Sequence, residues 1–180
     1  MADARSGPDV AQLVAEHHQA VYRYAYRLTG AVQDAEDLTQ QVFLAAQQKM
    51  GQSRRIGSAR AWLFAILRNC FLKDRQRRRP ALAADLSLNV ELASTPPPSE
   101  GVDRDRLQEA LNRLPDAFRL VVVMFYFEEC SYREIAERLE MPIGTVMSRL
   151  ARAKGHLRSI LFELEHGQRK RPASVAAERG

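Results

Sequence analysis

Residues 131–154 read SYREIAERLEMPIGTVMSRLARAK, a pattern that specifies a helix, a tight turn and a second helix. Ser131 followed three residues later by Glu134 is a capping box, in which hydroxyl and carboxylate satisfy each other's backbone amides at a helix start. The short helix it opens is predicted to run to about Glu140, with Ile135, Ala136 and Leu139 facing inward. Met141-Pro142 makes the turn, and a second helix begins near Ile143 with Val146, Leu150, Ala153 and Leu157 at inward spacing. Its outer face carries Thr145, Ser148, Arg149, Arg152 and Lys154, with no acid between Gly144 and Ile160. A helix that enters the major groove needs hydrogen-bonding side chains near its N-terminus for base edges and cations along its flank for phosphates. Cations alone would fit any basic amphipathic helix; capping box, turn and basic second helix together point to DNA.

Working back toward the N-terminus, a helix is predicted at about 104–114, followed by a strongly apolar segment, 115–127. Only 120–127 allows a strand-like alternation, and Pro115 at a first helical turn favours helix there. Before it the composition changes. Residues 81–103 hold the acids Asp85, Glu91, Glu100 and Asp103, no base, and Thr95-Pro96-Pro97-Pro98-Ser99, which cannot continue a helix. This is read as an acidic linker that, at about 3.1–3.3 Å per extended residue, could span on the order of 70 Å.

The first half repeats the helical theme. Leu13, Val14, His17, Val21, Tyr24 and Leu28 recur at helical spacing from Val10, and Thr29-Gly30 ends that helix. A second helix is predicted from Asp34 to about Met50, with Ala35, Leu38, Val42 and Ala46 inward and Asp34, Glu36 and Asp37 in the first turn, where carboxylates suit the helix dipole. After the basic loop 51–57 (GQSRRIG), Ser58 can cap a third helix running to about Arg79. Between Arg60 and Pro80 lie seven cations (Arg60, Arg68, Lys73, Arg75, Arg77, Arg78, Arg79) against Asp74 alone, a net of +6, a block suited to phosphate contact. Trp62, Phe64 and Phe71 make its first half apolar on nearly every side, and core packing of Trp62 is preferred to base stacking. The loop's Gln52, Ser53, Arg54 and Arg55 with two glycines suit a polar pocket for an unstacked base.

The whole chain has 180 residues, 46% hydrophobic, with formal charge +5 and a pI near 9.6. That allows two small cores and favours a polyanionic partner. Cys70 and Cys130 are far apart without ligand spacing, so they are expected to be reduced, buried thiols rather than a disulfide or zinc site. His17, His18, His156 and His166 form no metal or triad pattern, and no P-loop or GxGxxG is present. Neither an enzyme nor a cofactor is expected. The polar N-terminus lacks an apolar signal core and no run approaches a membrane span, so a cytoplasmic protein is expected.

Taken together, 22–30 (YRYAYRLTG), 34–43 (DAEDLTQQVF) and 61–69 (AWLFAILRN) with its basic run resemble the second conserved region of the ECF (extracytoplasmic-function) sigma factors, the minimal two-domain bacterial sigmas. Leu114-Pro115, 131–139 (SYREIAERL) and 144–154 (GTVMSRLARAK) resemble the fourth. The resemblance covers about 10–164. It implies an all-α protein: a tail at 1–9, region 2 at 10–80, the linker at 81–103, region 4 at 104–165, and a polar tail at 166–180, expected to be disordered from Gln168.

It also implies roles. Asp34, Glu36, Asp37, Gln40, Gln41 and Phe43 match the helix that docks on the clamp helices of the largest subunit of core RNA polymerase. Residues 52–58, with Gln52, Ser53 and Arg54, match the loop that captures a flipped base of the minus-ten element, with Arg60, Arg68, Asn69 and Lys73 on its supporting helix. Thr145, Ser148, Arg149, Arg152 and Lys154 fall on the helix that reads the minus-thirty-five element, while that domain rests on the flap of the second-largest subunit. An anti-sigma factor is a further implied partner. The chain departs from the family pattern at Lys73, where many members carry an acid, and at Glu129 and Glu140, where many carry glycine. Two rival readings are a free-standing helix-turn-helix regulator, which would need a dimerisation or ligand domain in place of 10–79, and a sigma mimic that binds an anti-sigma partner without DNA.

Overall fold

A computed structural model describes residues 10–50, 58–78 and 103–169. The chain divides into two units, Met1–Leu88 and Asn89–Gly180, and every element among the described residues is a helix. The all-α expectation holds.

In the first unit, helix α1 (Val10–Thr29) packs on α2 (Val32–Met50), and both pack on α3 (Ala59–Arg78). Leu13, Val21, Tyr24 and Leu28 of α1 meet Ala35, Leu38, Val42 and Ala46 of α2 and Leu63, Phe64, Leu67 and Phe71 of α3, all buried. The Tyr24 and Phe64 rings cross edge to face at 4.8 Å, a geometry that adds to the area both bury. Gly30 takes the left-handed conformation (φ 76°), and its amide donates to the Tyr26 carbonyl at 2.9 Å, closing α1. That sharp reversal lets α2 begin at Val32, two residues before the acids that suggested its start at Asp34. Ser58 caps α3 as expected, its hydroxyl accepting the Ala61 amide at 3.4 Å. Trp62 is only half-buried; the core positions go to Leu63, Phe64, Ile66, Leu67 and Phe71.

The second unit holds α4 (Arg104–Arg113), α5 (Asp116–Tyr126), α6 (Tyr132–Arg138) and α7 (Ile143–Arg169). The ambiguous apolar run is helical: Phe118 to Met124 are all buried in α5, which packs against both α6 and α7. A helix buried on every side loses the amphipathic period, and this is why the sequence left a strand reading open there. Within that run Arg119 is buried, its Nη2 donating to the carbonyls of Asn112 at 2.8 Å and Leu114 at 3.0 Å. The guanidinium thereby satisfies orphan carbonyls at the C-terminal end of α4.

The capping box is present in full. Glu134 N donates to the Ser131 hydroxyl at 3.2 Å and Ser131 N donates to Glu134 Oε2 at 2.8 Å. Two residues have left-handed backbones, Glu129 (φ 57°) and Glu140 (φ 51°), a conformation that favours glycine. The helix expected to begin near Ile143 does so and runs 27 residues, Ile143–Arg169, so that it takes in Gln168 and Arg169, the first residues of the segment expected to be disordered. Leu161 is buried and Arg113 of α4 lies 3.7 Å from Glu163, so packing against α4 carries the helix onward. From residue 170 the tail lies outside the described residues.

Candidate nucleic-acid interface

The outer face of α7 is set by the turn before it. The Pro142 carbonyl accepts the amides of Thr145 at 2.9 Å and Val146 at 3.3 Å, and Val146, Leu150 and Ala153 anchor the helix in the core. This anchoring turns Ser148 and Arg152 into solvent. The Ser148 hydroxyl donates to the Thr145 carbonyl at 3.0 Å, and Thr145 itself is half-buried. Arg149 lies on one flank, half-buried with Nη1 3.7 Å from the Met141 sulfur. Lys154 lies on another, its ammonium 5.4 Å from the centre of the Phe125 ring and 5.8 Å from that of Tyr126. Rings so placed hold the cation by its charge and pre-orient it. Of the five expected residues on this helix, Ser148 and Arg152 are exposed and Thr145, Arg149 and Lys154 are half-buried.

A polar knot steadies the approach to this unit. Arg138 reaches Glu128 at 3.4 Å, Glu134 at 3.4 Å and the buried Cys130 sulfur at 2.7 Å, tying the α5–α6 turn to α6. Both cysteines are free thiols. Cys70 is half-buried, and burial pushes its thiol above the ordinary value against the pull of Lys49 and Lys73. A raised thiol is a poor nucleophile at neutral pH.

On α3 the expected minus-ten residues separate. Arg60, Asn69 and Lys73 are exposed, with the Arg60 guanidinium 5.2 Å over the Phe64 ring. Arg68 is not on that surface: it is 5% exposed and lies within the core stripe. The sequence could not show this, because a helix apolar on nearly every side offers no inward direction to read. Gln52, Ser53 and Arg54 lie outside the described residues.

On α2 the six expected docking residues divide between two faces. Glu36 and Gln40 join Val10, Val14, His18, Tyr22 and Leu44 in an open groove of about 700 Å³ between α1 and α2. Asp34, Asp37 and Gln41 instead border a smaller cleft with Phe71, Asp74 and Arg75 of α3. Phe43 is 8% exposed, its ring nearly parallel to that of His18 at 6.2 Å; it forms the floor of the groove rather than a protruding contact. The exposed apolar side chain beside it is Leu44, at 59%. It stands off the Leu38–Val42 stripe, so the helical period gives no sign of it.

Among the described residues no group of three or more His, Cys, Asp or Glu side chains could hold a metal, and no helix is long and apolar enough to cross a membrane. Two helical units, one presenting a basic helix that follows a capped short helix and a tight turn, define a DNA-binding protein of the helix-turn-helix class. The chain matches the family model for Sigma-70 region 2 over residues 13–80 and that for Sigma-70, region 4 over residues 104–157. It is 37% identical to the ECF RNA polymerase sigma factor SigE of Mycolicibacterium smegmatis over 166 residues, covering 88% of this chain and 64% of that one. It is 36% identical to the ECF RNA polymerase sigma factor SigL of Mycobacterium tuberculosis, covering 83% of this chain and 86% of that one. Among solved structures it resembles the sigma factor RpoE of Bartonella quintana in complex with the anti-sigma factor NepR, with TM-score 0.63, 28% identity, and 87% of this chain and 98% of that chain covered. CnrH in complex with the cytosolic domain of CnrY gives TM-score 0.55 at 26% identity, over 85% of this chain and 87% of that one. The chain belongs to the ECF RNA polymerase sigma factors. Membership carries the family's function, promoter-specific initiation of transcription through RNA polymerase.

Proposed function

We propose that this chain performs that function by a division of labour between its two units. In the first, Glu36 and Gln40 at the rim of the α1–α2 groove and Asp34, Asp37 and Gln41 on the opposite flank of α2 contact the polymerase clamp helices, with Phe43 shaping the groove from below. Gln52, Ser53 and Arg54 capture the flipped minus-ten base, and Arg60, Asn69 and Lys73 hold the adjoining phosphates. In the second, Thr145, Ser148 and Arg149 face minus-thirty-five base edges while Arg152 and Lys154 hold phosphates, and the domain rests on the polymerase flap. The observation that supports this best is the exposed Ser148–Arg152 face of α7 behind a fully formed capping box.

The chain supplies binding energy and positioning, and the polymerase performs all bond making, so the protein is not itself an enzyme. It works in the cytoplasm, where the transcription machinery is. The solved relatives' anti-sigma complexes support an anti-sigma partner for this chain as well, competing for the surfaces that polymerase uses. In vitro transcription with sigma-free core polymerase tests the reading: promoter-dependent transcripts are expected only when the chain is added. A free-standing regulator would instead bind duplex DNA without core and yield no transcript.

A further inference from the structure

Two large apolar side chains stand in solvent on the reading helix: Ile143, 50% exposed, and Met147, 52% exposed. They lie one turn apart, and so are neighbours on the helix surface. Single exposed apolar residues are ordinary, but the setting of Met147 is particular. It adjoins Ser148, one turn from Ala151 and within five residues of Arg152, all exposed. Gly144, three residues before it, is also exposed, and nothing in the chain lies within 4 Å of where its Cβ would stand. No internal packing therefore requires a glycine there, and its bareness opens the surface beside Met147 to close approach from outside.

We propose that Met147 is a specificity-determining residue that packs on the C5-methyl of a thymine in the upstream promoter duplex. This rests on the reading of α7 as the helix that enters the major groove. A thioether offers at most a weak hydrogen-bond acceptor, whereas the groove edges of guanine, cytosine and adenine call for hydrogen bonds and only thymine presents an apolar group. The choice of DNA over an apolar protein surface follows from charge: Arg152 and Arg158 are exposed on the same helix and no acid occurs between Gly144 and Ile160, a complement to phosphate. Met is unbranched and adaptable, so it can follow the groove wall where a β-branched residue would be held stiff.

The full chain assembled with core polymerase is used to select from duplexes randomised across the upstream element. The enriched duplex is then rebuilt with each thymine in turn replaced by uracil, which lacks only the methyl. At one position uracil is expected to weaken binding about fourfold, the worth of one buried methyl-sized group. Met147→Ala is expected to abolish that sensitivity and Met147→Leu to keep it. Uracil tolerated at every position, or the same sensitivity in Met147→Ala, overturns the proposal. So does a Met147→Ala chain that loses affinity for core with its sequence preference intact, since the side chain would then be a protein contact. A wild-type selection without any enrichment removes the groove reading itself and the Met147 proposal with it; enrichment lost in Arg149→Ala but with uracil tolerated in the wild type removes the Met147 proposal alone.

Discussion

Glu129 and Glu140 hold left-handed backbones at φ 57° and 51°, where a Cβ crowds the following carbonyl at a cost of about 1 kcal/mol. Both end helical segments of the second unit, and Glu129 precedes the cap serine by two residues. Glu129→Gly and Glu140→Gly are each expected to stabilise the second unit by about 1 kcal/mol in urea unfolding; a glycine variant less stable than the parent would mean that the side chain's contacts outweigh the strain. Glu134 offers a pH signature. The Ser131 backbone amide and then its hydroxyl hold the Glu134 carboxyl below the usual carboxylate range, helped by the Arg138 charge. A depressed carboxyl contributes stability that is present above its unfolded pKa and is lost as pH falls through the lower folded one. Wild type should therefore exceed Glu134→Gln in stability at neutral pH, with the gap closing in acid; a gap independent of pH would assign the effect to shape rather than charge. This pairing was legible in the sequence because serine and glutamate three apart have one well-defined local use. The burial of Arg119 is not, since a cation in an apolar run gives no sign that the carbonyls of Asn112 and Leu114 await it inside.

At the scale of the element, the information in a helix lies in its contrast between faces. α1 and the start of α7 have that contrast and are legible from their periods, while α5, apolar nearly throughout, is marked as a helix only by Pro115. The length of α7 has no such local signature, because its last turns pack on α4, a partner that local sequence does not reveal. Gly155 and Gly167 lower local helix propensity, and tertiary contact overrides them. Leu161 is the buried contact of that extension. Leu161→Ala is expected to destabilise the second unit by about 2 kcal/mol, the lower end for a core leucine because its site is near the surface, and to fray α7 beyond it. Hydrogen exchange across 158–169 checks this: protection unchanged in the variant would show that the extension stands without α4.

For the whole molecule the decisive quantity is how two modest contacts combine. Arg149→Ala should weaken minus-thirty-five recognition by about 1–3 kcal/mol if the guanidinium reads a base; equal loss on scrambled duplexes would make it a phosphate contact instead. Losses of that size matter because neither unit needs to bind tightly alone: a flexible tether gives the second contact an effective concentration in the millimolar range, raising avidity by about 10²–10⁴. Residues 81–103 hold four acids, no base and three consecutive prolines, a composition that gives the segment joining the two units little attraction to DNA. Cutting the chain between the units separates their contributions in a way that mutating either site cannot. With a protease site placed at Thr95–Ser99, cleavage leaves every contact residue intact and both units at equal concentration, and only the covalent link is lost. Promoter-dependent transcription at submicromolar protein should then fall by about 10²-fold or more and return as the cleaved units are added at much higher concentration. Cleaved protein as active as intact protein when dilute would mean that one unit carries recognition by itself, and the two-point account would fail.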